Sequence, residues 1–225
     1  MTCAVFQTKS VADVRTKPHE IRNPLSAVQM NFQILKKNPE LKGNDQKRVD
    51  ISVREVKRLE KILQELLDFT KPIRLNLKKA SLNEILLSSI ELLEMKIASE
   101  NIILKTELDP NIPRMQIDGQ MLVQAVLNLL INAVEASIAG QQIHLRSRYV
   151  RENGELAVIM VSDEGPGIPE KMISEIYKPF FTTKVKGTGL GLSNVKRIAE
   201  AHKGCIEVHN VLPHGTRFEL HIPAQ

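Results

Sequence analysis

Two stretches of heptad-spaced apolar residues, separated by helix breakers, constrain the fold of this chain more than any other feature. Apolar residues follow alternating steps of three and four over 11–35, with Pro18 in one slot. Residues 49–66 repeat the pattern, with Ser52 completing the series. Such spacing is typical of helices that pack along a seam, and residues 38–45 between them are rich in breakers. The pattern predicts an antiparallel helical hairpin.

The apolar surface of this hairpin exceeds what two helices can bury against each other. Both seams carry apolar flanks, such as Val53, Ile62 and Leu67. Two copies of the chain could bury these flanks in a four-helix bundle, or the hairpin could fold onto the rest of the same chain. We expect the first arrangement, a homodimer through residues 11–69.

Beyond Pro72 the chain changes to alternating helical and strand patterns. We predict a hairpin domain over 1–72, a linker over 73–80 and a second domain over 81–225. Helices are predicted over 81–99, 118–138 and 189–202, with a short one from Pro169, and strands over 102–108, 142–150, 155–162, 205–210 and 216–222. This mixture predicts an α/β sandwich, in which helices cover a sheet. The predicted fold class is therefore a helical hairpin followed by an α/β sandwich.

Composition excludes several functional classes. The formal net charge is +5 over 225 residues, without the long block of like charges that marks a nucleic-acid-binding tail. Cys3 and Cys205 lie at opposite ends of the chain, which indicates neither a disulfide framework nor a metal site. We find no apolar run approaching the ~18 residues that span a bilayer and no signal-peptide core. A soluble cytoplasmic protein without a nucleic-acid partner is expected.

A pair of asparagines offers ligands for a metal ion. Asn128 and Asn132 are four residues apart in a predicted helix, so they share one face. Amide oxygens suit Mg²⁺, which keeps several waters and needs only one or two protein ligands. The two residues could equally be ordinary asparagines on a helix surface.

Two glycine-containing runs could approach a nucleotide. Asp163 follows a predicted strand and precedes Gly165 and Gly167. Its carboxylate can accept a hydrogen bond from an exocyclic amine such as that of adenine, and the glycines remove Cβ clashes, although an ordinary turn has the same composition. The second run opens a helix with Gly187, Thr188, Gly189, Leu190 and Gly191. Backbone N–H groups there could face phosphate oxygens, but the run is neither a P-loop nor a Rossmann turn.

The stretch between these runs resembles a lid in composition. Residues 178–186 contain two adjacent aromatics, Phe180 and Phe181, followed by hydroxyls and lysines. An apolar anchor followed by cations suits a mobile lid over phosphates, and a structured surface loop is the alternative.

The order of the motifs is more specific than any one of them. The runs 19–25, 128–133, 163–168, 179–184 and 187–192 read His-Glu-Ile-Arg-Asn-Pro-Leu, Asn-Leu-Leu-Ile-Asn-Ala, Asp-Glu-Gly-Pro-Gly-Ile, Pro-Phe-Phe-Thr-Thr-Lys and Gly-Thr-Gly-Leu-Gly-Leu. This set resembles the sensor histidine kinases of bacterial two-component systems over nearly the whole chain. The resemblance implies a phosphoacceptor and dimerisation hairpin followed by a Bergerat-type ATP-binding domain.

The resemblance assigns three roles in the hairpin. His19 would be the phosphoacceptor, Glu20 the general base for its ring, and Asn23 the residue that orients water for dephosphorylation of the partner. Pro18 departs from the family, which usually has a small or hydroxylated residue before the histidine.

The resemblance also assigns the pocket, with ATP and Mg²⁺ as cofactors. Asn132 would be the metal ligand, supported by Asn128, and Asp163 would recognise the adenine amine. The remaining nucleotide-binding positions would be Gly165, Gly167, Thr183, Lys184, Gly187, Thr188, Gly189, Leu190 and Gly191. Related ATPases have a water-activating glutamate at the position of Asn128, and an amide cannot take a proton from water, so this residue favours a kinase. Lys178 replaces an acidic residue that usually precedes the lid aromatics.

The expected function is an ATP-dependent histidine kinase core. It would autophosphorylate on His19 and transfer the phosphoryl group to an aspartate of a response regulator receiver domain. Membrane attachment would come only through a sensor region absent from this chain. The alternatives are a nucleotide-binding pseudokinase or phosphatase-biased scaffold, and a Bergerat-type ATPase.

Overall fold

The computed structural model describes residues 18–38, 41–152, 154–184 and 187–224, with side chains from residue 25 onward. The chain divides into two compact units, Met1–Pro72 and Ile73–Gln225. Each unit buries its own set of apolar side chains.

The first unit contains the predicted helical hairpin. Helix α1 spans Pro18–Lys36 and helix α2 spans Asn44–Thr70, and the two helices pack along each other. An ion pair of 2.8 Å between Lys36 and Asp50 joins the end of α1 to the beginning of α2. The prediction of a hairpin is confirmed, whereas the predicted helical start at Val11 lies outside the described residues.

The second unit mixes helices and strands, as predicted. Its helices are α3 (Leu82–Glu91), α4 (Glu94–Ser99), α5 (Gly119–Ala136), α6 (Glu170–Ile173) and α7 (Gly191–Ala201). Its strands are β1 (Lys78–Ala80), β2 (Ile103–Leu108), β3 (Met115–Ile117), β4 (Gln142–Val150), β5 (Leu156–Asp163), β6 (Cys205–Asn210) and β7 (Thr216–Pro223).

Five strands form the main sheet in the order β2-β4-β5-β7-β6. The β2–β4 pair is parallel and the other pairs are antiparallel. Burial alternates along β7, starting from buried Thr216, because successive side chains of a strand point to opposite faces. The buried sheet residues share one apolar core with α3, α5 and α7. This arrangement confirms the predicted α/β sandwich and sets α5 beside both β5 and α7.

Asp118 fixes the start of α5, the helix that carries both candidate metal ligands. Its Oδ1 accepts hydrogen bonds from the backbone N–H groups of Gln120 and Met121, both at 3.1 Å. Its own N–H donates to Nε2 of buried His202 at 3.1 Å, just after α7. Capping by a carboxylate satisfies N–H groups that the first helical turn leaves unpaired. Asp118 and His202 therefore join the start of α5 to the end of α7.

The predicted linker over residues 73–80 lies within the second compact unit, which begins at Ile73. Lys78–Ala80 form β1, which pairs antiparallel with Met115–Ile117 in β3. The backbone N–H of Asn76 donates to Oδ2 of Asp118 at 2.8 Å. A run of three residues is too short to show the two-residue period of a strand, so neither short strand was predicted.

The single helix predicted over 81–99 is in fact two helices. α3 ends at Glu91 and α4 begins at Glu94, with the N–H of Leu93 donating to the carbonyl of Ile90 at 2.9 Å. No glycine or proline marks this break in the sequence. The continuous apolar pattern therefore gives no sign of the break between α3 and α4.

Helix α5 corrects the prediction that no stretch is long and apolar enough to cross a bilayer. Among the described residues it is the one helix that meets this criterion by length and composition. Core helices of folded domains meet the same criterion, and α5 buries much of its surface in the second unit. Its buried residues are Leu122, Ala125, Val126, Leu129, Leu130, Ala133 and Val134.

Candidate functional site

The two asparagines of α5 face the segment that precedes α7. The side-chain amide of Asn128 donates to the carbonyl of Gly191 at 3.5 Å. Oδ1 of Asn132 accepts a hydrogen bond from the Lys184 ammonium at 3.0 Å. Both asparagines are half-buried. The oxygen of Asn132 is therefore bonded to a cationic side chain in this structure.

Asp163 closes strand β5 with a buried carboxylate that is 7% exposed. Its Oδ1 accepts hydrogen bonds from the N–H of Gly165 at 2.9 Å and the N–H of Thr216 at 3.3 Å. Burial raises the pKa of this carboxyl, while the two N–H donors and the charge of Lys184 oppose the rise. Both N–H donors bond Oδ1, so Oδ2 is the oxygen that can meet a further donor within the described part of the pocket.

The first glycine run is held too tightly for larger residues. A Cβ on Gly165 would lie 2.7 Å from the carbonyl oxygen of Ala136 at the end of α5. Gly167 has a φ of +78°, a conformation that glycine adopts without steric penalty. Asn210, at the end of β6, accepts from the N–H of Ile168 at 2.8 Å and donates to its carbonyl at 2.7 Å. The run is thereby packed between α5 and β6.

The described part of the predicted lid, residues 178–184, is tied back to the second glycine run, and we call it the lid segment. The N–H of Phe180 donates to the carbonyl of Gly189 at 3.0 Å. Gly189 has a φ of +70°, and a Cβ there would clash with the Phe180 backbone. The hydroxyl of Thr182 accepts from the N–H of Lys184 at 3.1 Å. These contacts set the path that brings the Lys184 side chain to α5.

The predicted pocket residues therefore lie around α5, β5 and the start of α7. Leu190 is buried, whereas Thr183 and Gly187 are exposed and Thr188 is partly buried. Lys178, which departs from the family pattern, forms an ion pair of 2.6 Å with Glu175. Its charge is therefore paired with a residue three positions earlier in the chain. The predicted residues His19, Glu20 and Asn23 lie in α1, and their side chains are outside the described part of the structure.

Several residues of this site were not predicted from the sequence. Thr216 and Asn210 support the Asp163 turn through backbone contacts, and Glu135 forms an ion pair of 2.6 Å with Lys184. Glu164 accepts from the N–H of Gln142 at 2.8 Å and steadies the same turn. Each contact joins residues more than twenty positions apart. A local motif cannot reveal such pairs, because only the fold brings them together.

Comparison with known proteins adds independent findings. Residues 117–225 match the family described as histidine kinase-, DNA gyrase B- and HSP90-like ATPases. Residues 15–73 match the His Kinase A (phospho-acceptor) domain. The sensor histidine kinase ZraS of Salmonella typhimurium is 33% identical over 205 residues, which cover 91% of this chain and 44% of that protein. The chain thus spans less than half the length of this relative.

Solved structures give the same result. The full-length histidine kinase ShkA in complex with AMPPNP matches with a TM-score of 0.79 and 25% identity, over 92% of this chain and 44% of that one. The catalytic domain of histidine kinase ThkA is 34% identical, with a TM-score of 0.61, over 67% of this chain and 97% of that one. ThkA in complex with response regulator protein TrrA is 32% identical, with a TM-score of 0.68, over 92% and 59%.

Proposed function

Because this chain belongs to the sensor histidine kinases of two-component systems, we propose that it transfers the γ-phosphoryl group of ATP to His19. The phosphoryl group then passes to an aspartate of a response regulator receiver domain. The observation that carries the proposal is the meeting of Asn132, Lys184 and buried Asp163 around one end of α5 and β5.

The adenine base is recognised by Asp163. Its Oδ1 is engaged by two backbone N–H groups, and Oδ2 accepts from the exocyclic amine of the base. Recognition by a charged acceptor in a buried position discriminates strongly, because a base without the amine would leave that acceptor unpaired. The absence of a Cβ at Gly165 and Gly167 lets this turn pack against Ala136 and Asn210, which holds Asp163 in place for the base.

The phosphates and their metal ion are held by Asn132, Asn128 and Lys184. Amide oxygens fit Mg²⁺, which takes oxygen ligands, and the Lys184 ammonium already lies on Oδ1 of Asn132 at 3.0 Å. Asn132 would hold the ion, with Asn128 beside it. When bound, Mg²⁺ neutralises the charge that develops on the transferred phosphoryl group. The N–H groups at the start of α7 and the Lys184 ammonium complete the phosphate site.

The hairpin supplies the nucleophile. A ring nitrogen of neutral His19 attacks the γ-phosphorus, the bond to the bridging oxygen breaks, and ADP leaves. Glu20 accepts or stabilises the proton on the other ring nitrogen. Asn23 lies one helical turn beyond His19, on the same face, where it orients water for dephosphorylation of the partner. Phosphoryl transfer of this kind depends mostly on positioning and charge stabilisation.

A homodimer buries the apolar side chains that a single hairpin leaves exposed. Among its described residues α2 buries Val49, Val53, Val56 and Leu67. Six other large apolar side chains of the hairpin are at least 42% exposed: Val28, Met30, Ile34, Leu35, Ile51 and Leu59. Three of these, Val28, Leu35 and Leu59, occupy heptad positions of the two seams. A second hairpin that covers these residues forms the four-helix bundle, because exposed apolar patches mark surfaces where proteins associate.

Incubation with γ-labelled ATP tests the proposal against its two alternatives. A kinase gives acid-labile, alkali-stable label on the protein. A Bergerat-type ATPase releases free phosphate without labelling the protein, and a pseudokinase or phosphatase-biased scaffold binds nucleotide without either product. An Asn132→Ala variant serves as the control, because it removes the metal ligand and leaves the hairpin unchanged. Free phosphate alone, or binding alone, would overturn the assignment as a kinase.

A further inference from the structure

Glu135 lies one turn after Asn132 on α5, so the two side chains share a face of the helix. The Lys184 ammonium lies between them, 3.0 Å from Oδ1 of Asn132 and 2.6 Å from Oε2 of Glu135. Building on the proposed function, we infer that Glu135 is a positioning residue that holds Lys184 on the metal-binding oxygen. Mg²⁺–ATP therefore binds in competition with this contact.

The Glu135 carboxylate is shared between two lysines, one on each oxygen. Lys96, on α4, lies 3.7 Å from Oε1, while Lys184 bonds Oε2. The longer distance marks the contact with Lys96 as the weaker of the two. Glu135 thus connects α4, α5 and the lid segment, and it supplies the carboxylate partner of Lys184.

A metal ion and the ammonium cannot both use Asn132 in this arrangement. Mg²⁺ binds oxygen at about 2.1 Å, so an ion on Oδ1 would lie at most about 5 Å from the Lys184 nitrogen at its present distance. Two positive centres this close repel each other strongly in a partly buried site. The γ- and β-phosphates offer Lys184 a new anionic partner. Binding therefore moves the ammonium from Glu135 to the phosphates.

The balance between these two partners sets the nucleotide affinity. Removing the charge of Glu135 weakens the competing contact without removing any phosphate ligand. Lys184 and Glu135 are 39% and 41% exposed, and exposed ion pairs are weak. Glu135→Gln is therefore expected to tighten Mg²⁺–ATP binding by about twofold to fivefold. A glutamate that instead ligated the metal ion directly would give the opposite sign.

The test measures binding of Mg²⁺–AMPPNP to the full chain by calorimetry, in a double-mutant cycle. Glu135→Gln should tighten binding, and the same change in a Lys184→Met background should have no effect. Glu200→Gln is the matched control, because Glu200 forms an exposed pair of 3.9 Å with Lys196 at the far end of α7. Weaker binding by Glu135→Gln, or an equal gain in the Lys184→Met background, would overturn the inference.

A measurement without nucleotide separates this inference from the proposed function. Backbone amide exchange in the lid segment should quicken in Glu135→Gln and remain at the wild-type rate in Glu200→Gln. If the wild-type chain failed to bind AMPPNP while Glu135→Gln quickened exchange, the nucleotide pocket would be wrong and the Glu135–Lys184 contact right. Unchanged exchange in Glu135→Gln would mean that this contact does not hold the lid segment, whatever the nucleotide affinity.

Discussion

Replacing Asp163 by asparagine tests how the proposed pocket recognises the base. Oδ1 of Asp163 accepts from Gly165 and Thr216 at 2.9 and 3.3 Å. Asparagine retains an oxygen at this position, so both backbone donors keep their partner. Its amide nitrogen replaces Oδ2 and faces the adenine amine donor to donor. The substitution therefore removes one hydrogen bond to the base and little else.

The magnitude follows from the charge of the acceptor. A hydrogen bond to a charged group contributes about 1.5–3 kcal/mol, which corresponds to a roughly 10- to 150-fold loss of ATP affinity. Asp163→Ala is the informative companion, because it also strips the acceptor from two buried N–H groups. Each unsatisfied donor costs about 1–3 kcal/mol, so alanine should lower the melting temperature much further than asparagine does.

Calorimetry with adenine and guanine nucleotide analogues, together with thermal melts, makes the comparison. Asp163→Asn should lose affinity for the adenine nucleotide, lose its preference over guanine, and keep a melting temperature near that of the wild type. If Asp163→Asn kept the wild-type affinity for the adenine nucleotide, Asp163 would have no role in recognising the base. Equal losses for both bases with a lowered melting temperature would make Asp163 a structural residue instead.

Further predictions concern pH, the lid segment and assembly. Burial raises the folded-state pKa of the Asp163 carboxyl. This carboxyl should therefore contribute fully to the free energy of unfolding below its unfolded-state pKa, and the contribution should be lost as pH rises through the folded-state pKa. ATP affinity should instead increase as pH rises and Asp163 ionises. In Asp163→Asn, thermal melts and calorimetry across the acidic range should show neither pH dependence. Gly189→Ala should weaken nucleotide binding about tenfold, since the left-handed conformation costs about 1–2 kcal/mol and Cβ meets the Phe180 backbone. Gly140→Ala, at φ +87° in open space, is its control and should leave binding unchanged. Light scattering should find a dimer for the full chain and a folded, ATP-binding monomer for residues 73–225; a full chain that stays monomeric at micromolar concentration would refute the four-helix bundle.

Regular patterns made much of the fold predictable from the sequence. The heptad seams predicted the hairpin because a buried stripe must repeat with the turn of the helix. The helix predicted from residue 81 does begin there as α3, with the Ser81 hydroxyl accepting a hydrogen bond from the N–H of Glu84 at 3.4 Å. The β1–β3 pair and the break at Leu92–Leu93 were not predictable. The strand pair depends on a partner more than thirty residues away in sequence, and no glycine or proline marks the helix break.

Some residues of the candidate site were likewise predictable from the sequence, and others were not. Asp163 and Lys184 were predicted as site residues because their motifs are short and ordered along the chain. Glu135 was missed because it becomes informative only when the fold brings the lid segment onto α5, 49 residues later in the sequence. Thr216 was missed for a similar reason, since its contact with Asp163 depends on the register of β5 and β7. Sequence motifs predict candidate ligands, whereas the fold shows which residues contact them.

The most direct test of the account is the site of phosphorylation. The full chain and His19→Gln are incubated with γ-labelled ATP and Mg²⁺, and the nucleotide affinity of both is measured in parallel. The account predicts acid-labile, alkali-stable label on the wild-type protein and none on His19→Gln, with equal ATP affinity because the pocket lies in the second unit. Persistent acid-labile label on His19→Gln, or a wild-type chain that binds ATP and never becomes labelled, would contradict it.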